Sequence, residues 1–227
     1  MIWNIRKVNN IHYASIRNLD ISNGEGIGVA LFVQGCPFNP HCHNCFNPDT
    51  WDFNGGKEWT TEVKEKFLEL IDRPYIKRVS ILGGEPLADE NLDDVLDLVT
   101  EINKRYNFQK VDSANPCKMG VSEDKNTDKI RLSFPNKTIW IYSGYSWQSI
   151  MNRIPCDTDD FDYIEESYID GLYEKRKQII SQCTVMIDGR YVDSQRDVSL
   201  KWRGSKNQNC IDIQQSLQQN KMVLYCE

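Results

Sequence analysis

Long apolar runs are missing from this chain, and so is any surplus of positive charge. Of its 227 residues 40% are hydrophobic, yet every unbroken apolar stretch falls far short of a membrane span, so no membrane role is expected. Lys and Arg number 27 against 33 Asp and Glu, a formal net charge of −6. That balance argues against non-specific nucleic-acid binding, which needs clustered basic residues. The opening Met1-Ile2-Trp3-Asn4-Ile5-Arg6-Lys7 lacks the apolar segment of a secretory signal. Repeats and low-complexity tracts are absent too, which excludes solenoid arrays. With no secretory opening, eight cysteines read poorly as a disulfide framework, and a chain of this length can build a core without staples. A reducing cytoplasm is the expected setting. The length fits one large domain or two small ones.

Three of the cysteines sit together, in Gly35-Cys36-Pro37-Phe38-Asn39-Pro40-His41-Cys42-His43-Asn44-Cys45-Phe46-Asn47-Pro48. Their spacing is C-x5-C-x2-C, just after an apolar run, Ile27 to Val33, that reads as a buried strand. Three thiolates on one loop can hold three irons of a [4Fe–4S] cluster and leave the fourth open to a small molecule. Three thiolates with His41 or His43 can equally hold a structural zinc ion. On this loop alone the two readings stand level. The other cysteines, Cys117, Cys156, Cys183, Cys210 and Cys226, are scattered and read as packing residues.

Strand and helix patterns alternate along the chain. Gly28–Val33 precedes the cysteine loop. Thr60 or Thr61 caps a helix whose apolar stripe is Val63, Phe67, Leu68, Leu70 and Ile71. Val79–Leu82 reads as a buried strand closed by Gly83-Gly84-Glu85-Pro86. Asp89 is expected to cap a helix carrying Leu92, Val95, Leu96, Val99 and Ile102. Thr138–Tyr142 is a further strand, followed by Ser143-Gly144-Tyr145 and a capped turn at Ser146. An amphipathic stretch over roughly 163–180 leads into Thr184–Ile187. Such βα units predict an α/β fold with a mainly parallel sheet, in which chemistry collects at the C-terminal ends of the strands. The cysteine loop, the Gly-Gly-Glu-Pro turn and the Ser-Gly-Tyr turn would then share one face. Residues 107–136 are polar and aperiodic, and are expected to form a surface insertion in a single domain over 1–227.

These pieces together carry a resemblance. Further parts of it are Asn23-Gly24-Glu25-Gly26, Ile139–Tyr145, Ile187-Asp188-Gly189-Arg190-Tyr191-Val192 and the run Asp197–Gln208. The ordered set resembles the radical S-adenosylmethionine (SAM) enzymes. More narrowly, it is similar to the activating proteins of anaerobic ribonucleoside-triphosphate reductase. Two departures stand out: the usual first gap is C-x3-C, two residues shorter, and an arginine usual before the core of the first strand is Gly28 here.

The resemblance implies a partial (βα) barrel, one [4Fe–4S] cluster on Cys36, Cys42 and Cys45, and SAM chelating the open iron. One electron into that cluster would break the sulfonium bond and release a 5′-deoxyadenosyl radical. Gly83, Gly84 and Glu85 are expected at the methionyl part of SAM, and Gly84→Val is expected to impair SAM binding while sparing the cluster. Phe46 is expected against the adenine, Asn44 to offer backbone, and Ser143 to reach the carboxylate or ribose. No catalytic residue is expected beyond cluster and SAM. The implied partners are the large subunit of anaerobic ribonucleoside-triphosphate reductase, as protein substrate for glycyl-radical formation, and a reductant such as flavodoxin or ferredoxin. The rival readings are an activase of another glycyl-radical enzyme, a radical SAM enzyme acting on a deazapurine-like molecule, and a zinc-bearing adaptor.

Overall fold

Gly28–Val33 is small or apolar at every position, and all six residues are buried, as a strand covered on both faces requires. It is β2 in a computed structural model that describes residues 11–106, 137–154 and 166–226. Around it the described chain runs β1 (His12–Asp20), β2, β3 (Lys57–Glu58), α1 (Thr61–Ile71), β4 (Arg78–Gly83), α2 (Leu92–Tyr106) and β5 (Thr138–Tyr142). It continues with α3 (Trp147–Asn152), α4 (Glu166–Ser181), β6 (Val185–Asp188), β7 (Asn209–Asp212), α5 (Ile213–Gln219) and β8 (Leu224–Cys226). The expected insertion at 107–136, with Cys117, and Cys156 lie outside the described residues.

The described strands form one eight-stranded sheet in the order β3-β1-β2-β4-β5-β6-β7-β8. Its centre is parallel: β2 pairs β4, β4 pairs β5 and β5 pairs β6. Both flanks are antiparallel, through β1 and β3 on one side and β7 and β8 on the other. The expectation of a mainly parallel sheet is therefore corrected: only three of the seven strand pairings among the described residues are parallel. The flanking strands are short or largely exposed, so they lack the apolar signature that marks the centre.

The sheet has two unlike faces. Val29, Leu31, Val33, Val79, Ile81, Ile139, Ile141 and Met186 point to one side, where residues of α1 to α5 complete a single large core. Ala30, Phe32 and Leu82 point to the other, as do Trp140, Val185, Ile187 and Cys210. Alternation along each strand sorts the residues this way. Thr60 caps α1, its hydroxyl accepting from Val63 N at 3.4 Å, and Ser146 caps α3 by accepting from Ser149 N at 3.0 Å. Asp89 does not stand at the start of α2, which begins at Leu92; its carboxylate pairs with Arg176 Nη2 at 2.5 Å.

At the N-terminal end of the parallel strands, Arg78 is fully buried. Its guanidinium donates to Asp20 Oδ2 and Asp20 O, both at 2.8 Å, and to Asn23 O at 2.6 Å. Gly28 is its register partner on β2, and a Cβ there would lie 2.8 Å from Arg78 Cζ. The space above position 28 is thus filled by an arginine from the neighbouring strand. That guanidinium also pins the Asp20–Glu25 loop leading into β2.

Candidate functional site

Three loops leave the C-terminal ends of adjacent parallel strands: Gln34–Trp51 after β2, Gly83–Asn91 after β4 and Ser143–Ser146 after β5. The expected shared face is present, because the three are bonded to one another. Gly84 N donates to Val33 O at 2.9 Å and Glu85 N to Gly35 O at 2.6 Å. Glu85 then reaches the third loop: Oε2 accepts from Gly144 N at 2.7 Å, and Oε1 accepts from Ser143 Oγ at 2.9 Å and from Leu87 N at 2.8 Å. Glu85 is buried. Burial pushes its carboxyl up to about 7, against the pull of these donors and of Arg176.

The Gly83-Gly84 pair is needed for close packing. Gly83 has φ +115°, and a Cβ on Gly84 would sit 2.2 Å from Gly35 O and 2.8 Å from Thr50 O. Only a residue without Cβ lets the β4 turn lie against the root of the cysteine loop. The turn and the loop are therefore one packed unit, so a side chain at 84 disturbs both.

The cysteine loop closes on itself at its base, where Gly35 N donates to Thr50 O at 2.9 Å and Cys36 N to Trp51 O at 3.0 Å. Within it Cys45 N donates to Cys42 O at 3.2 Å, and Cys45 Sγ accepts from Asn47 N at 3.4 Å. All three thiols are free and half-buried. Burial raises Cys36 to about 11, with the Glu85 carboxylate and the Cys42 and Cys45 thiols adding to the rise and a Phe38 backbone N–H opposing it. That thiol is protonated at neutral pH until a metal displaces the proton. Among the described residues no three His, Cys, Asp or Glu side chains gather closely enough to grip a single ion. The fit to a cluster thus rests on the donor set, three half-buried free cysteines on one loop.

The longer first gap carries an anchor that sequence reasoning missed. Phe38 is buried, its ring 5.1 Å from that of Tyr145, with the Arg190 guanidinium 5.0 Å above it. A Cβ on Gly144 would fall 2.4 Å from the Phe38 ring, so the Ser-Gly-Tyr turn is cut to receive it. The one available signal was a large apolar residue between Cys36 and Cys42. His41 stacks on Trp51 at 4.1 Å and 13°.

The Ile187–Val192 and Asp197–Gln208 runs brace the same loop from the side. Asn44 takes φ +56°, and its amide donates to Asp193 Oδ2 at 3.2 Å. Phe46 is exposed but rests on Tyr191, 4.8 Å between centroids, and over Gly204, where a Cβ would lie 2.6 Å from its ring. Arg190 donates to Pro40 O. Ser205 is buried, and its hydroxyl accepts from Val192 N at 3.1 Å. Gln208 Oε1 accepts from Gly204 N at 2.9 Å and its amide donates to Gly189 O at 2.8 Å. Arg203–Ser205 is therefore a folded brace and not a solvated tail. Ser143 is buried, its hydroxyl engaged by Glu85 and by Tyr145 N at 3.0 Å. The structure thus packs Gly83, Gly84, Glu85 and Ser143 against the root of the loop that carries Cys36, Cys42 and Cys45, with Asn44 and Phe46 exposed on that loop.

Known proteins are similar to this chain in sequence. The chain is 28% identical over 200 residues to the anaerobic ribonucleoside-triphosphate reductase-activating protein of Escherichia coli (strain K12), covering 87% of this chain and 96% of that protein. The protein of the same name from Vibrio cholerae is also 28% identical over 200 residues, with the same coverage. That of Enterobacteria phage T4 is 25% identical over 198 residues, covering 87% of this chain and 92% of the phage protein. The 4Fe-4S single cluster domain family matches residues 22–116 and 125–211, a span that holds the cysteine loop, the Gly83–Glu85 turn and the 187–208 brace. With most of its length matched and its three clustered thiols on the loop after β2, the chain belongs to the 4Fe-4S single cluster domain family.

Proposed function

We propose that this chain is the activating enzyme of an anaerobic ribonucleoside-triphosphate reductase, placing a glycyl radical on the large subunit of that protein. The observation that carries the reading is the packed unit of cysteine loop, Gly83–Glu85 turn and 187–208 brace. It is supported by relatives named as activating proteins of that reductase over nearly their whole length. In this reading the four parallel strands and their helices are the core of an open (βα) barrel of the radical SAM type.

A [4Fe–4S] cluster with SAM at its open iron supplies a hydrogen-abstracting radical once reduced by an electron donor of the flavodoxin or ferredoxin kind. The chain's own residues supply the rest. Cys36, Cys42 and Cys45 hold three irons. The backbone at Gly83 and Gly84 would hold the amino and carboxylate end of SAM. Glu85 and Ser143 hold that turn in register with the β5 loop. Phe46, exposed on Tyr191 and Gly204, offers a ring for the adenine, and Asn44 offers its left-handed backbone. Among the described residues no helix is long and apolar enough to cross a membrane, and the substrate is a loop of another protein.

The test is anaerobic incubation of the cluster-loaded chain with SAM, a reductant and the reductase. The expected outcome is 5′-deoxyadenosine together with an EPR doublet on the reductase, split by the single α-hydrogen of a glycyl radical. α-Deuterated glycine in the reductase should collapse the doublet. Cys36→Ala, Cys42→Ala and Cys45→Ala should each abolish iron binding, while Cys183→Ala keeps it. SAM cleavage with no radical on the reductase would instead favour a small-molecule substrate. A colourless, zinc-bearing protein after anaerobic purification would favour the adaptor.

A further inference from the structure

Cys210 and Cys226 are separated by fifteen residues in sequence but are direct register partners across β7 and β8. Antiparallel partners have Cα atoms about 4.5–5.5 Å apart and side chains on one face, inside the roughly 4.4–6.8 Å window of a disulfide. Both side chains join the cluster of Trp140, Val185 and Ile187 on the sheet face away from the helices. Cys210 is completely buried and Cys226 half-buried. Burial and the neighbouring Cys226 thiol together hold Cys210 well above the usual thiol range. Arg203 Nη1 lies 4.0 Å from Cys226 Sγ, and Arg203 directly precedes the Gly204 that supports Phe46. Cys226 lies beyond residues 22–116 and 125–211, the part that the family shares.

We propose that Cys210 and Cys226 are a modification site of this chain, forming a reversible disulfide by exchange with a small-molecule disulfide such as glutathione disulfide. Cys226, the accessible member, attacks one sulfur of the reagent; the new bond is Cys226–S–S–R, and one thiolate leaves and takes a proton. Cys210 then attacks Cys226 Sγ, closing the protein disulfide and releasing the second thiol. The two cysteines lose two electrons and two protons in all, and the reagent disulfide is reduced to two thiols. The bond fastens the last strand to β7 beside the segment that braces the cysteine loop. It does not depend on the activase reading, since it concerns thiols outside the cluster loop.

The experiment treats the cluster-loaded chain anaerobically with excess glutathione disulfide, alkylates the remaining thiols, and digests with trypsin. Cleavage after Lys206 and Lys221 puts Cys210 in residues 207–221 and Cys226 in residues 222–227. The expected result is those two peptides joined, released by dithiothreitol, with alkylation lost at both cysteines and the cluster absorbance retained. In Cys210→Ser the exchange should stop at a glutathione adduct on Cys226. In Cys226→Ser, Cys210 should stay unmodified until the chain is unfolded. A stable glutathione adduct on Cys226 of the unsubstituted chain, or both thiols still alkylatable after treatment, would overturn the proposal. So would an adduct on Cys210 in folded Cys226→Ser.

Discussion

Two buried carboxylates mark opposite ends of the same parallel strands, and they are held by different physics. Asp20, below β2, faces a guanidinium. Burial by itself would raise its carboxyl, but the Arg78 side chain and the Asn23 backbone and amide N–H groups outweigh that and hold it below the usual carboxylate range. Glu85, above β4, is met by two backbone N–H groups and a hydroxyl, with Arg176 acting from further off, and there burial wins. The lower end is a charge pair closed on itself, which suits a structural lock. The upper end is built of dipoles and glycines packed to contact, with a carboxylate poised near neutrality that is felt by Cys36. A site that must accept a cluster gains from a support whose charge can change with its surroundings.

The largest effect is expected at the lower end. Arg78→Ala removes the charge partner of a buried Asp20 and takes a donor from the carbonyls of Asp20 and Glu25, while Asn23 O keeps Ser80 Oγ and the Asp20 carboxylate keeps the Asn23 N–H groups. Breaking such a pair costs about 3–5 kcal/mol. Urea unfolding should show that loss. Iron binding by whatever folded protein remains should be normal, because the cysteine loop is at the other end. A stability change under about 1 kcal/mol would mean water replaces the guanidinium, and the contrast between the ends would fail.

Phe38→Ala probes the upper end in the same currency. A buried phenylalanine cut to alanine costs about 3–5 kcal/mol where the structure is cooperative throughout. The Phe38 ring packs from a loop, so the cost should fall at or below the low end of that range and be felt first as weaker iron retention. Gly84→Val should be smaller in global stability, about 1–3 kcal/mol of overpacking, yet larger at the site. Its branched side chain meets Gly35 O and Thr50 O and pushes the cysteine loop away. Iron content and SAM affinity should fall together. Retained iron with lost SAM affinity would show that the loop can shift without losing its thiol geometry.

The centre of this molecule was legible in its sequence, and the edges were not. β2, β4 and β5 announce themselves as short, mostly apolar runs because they are covered on both faces, and Thr60 and Ser146 as caps because their hydroxyls precede apolar-periodic segments. β1 is long but mostly exposed or half-buried, and β3, β7 and β8 have two to four residues each, too few for a period to register. The cysteine triad was legible from spacing. What Gly84 and Gly144 are for was not, since their neighbours Gly35 and Phe38 come from another loop. The same holds for Asn44 and Asp193, which lie 149 residues apart, and for Gly28, whose missing side chain makes sense only beside Arg78.

The most gradual effect per step, and the sharpest on the comparison, concerns the sign of a pH dependence. Glu85 has its carboxyl raised from 4.5 to about 7 in the folded chain, so the folded state keeps a proton that the unfolded state has already lost. Its contribution to stability is complete below about 4.5 and is lost as the pH rises through about 7. Asp20 runs the other way: its contribution is complete above its ordinary value of 3.8 and is lost as the pH falls through its lowered one. The cluster-free chain should therefore lose stability across the Glu85 window with a slope of at most about 1.4 kcal/mol per pH unit. Glu85→Gln abolishes that titration. Its one remaining acceptor oxygen can keep Ser143 and Leu87, but its amide nitrogen then faces Gly144 N–H, an unmet donor worth about 1–3 kcal/mol. Urea midpoints at a series of pH values should show the variant below the parent in acid and level with or above it near neutrality. Asp20→Asn, though weaker overall, should keep the parent slope in that window. Should Glu85→Gln keep the parent slope as well, Glu85 is already ionised in the folded chain. The upper end would then be held by charge, through Arg176, as the lower end is through Arg78.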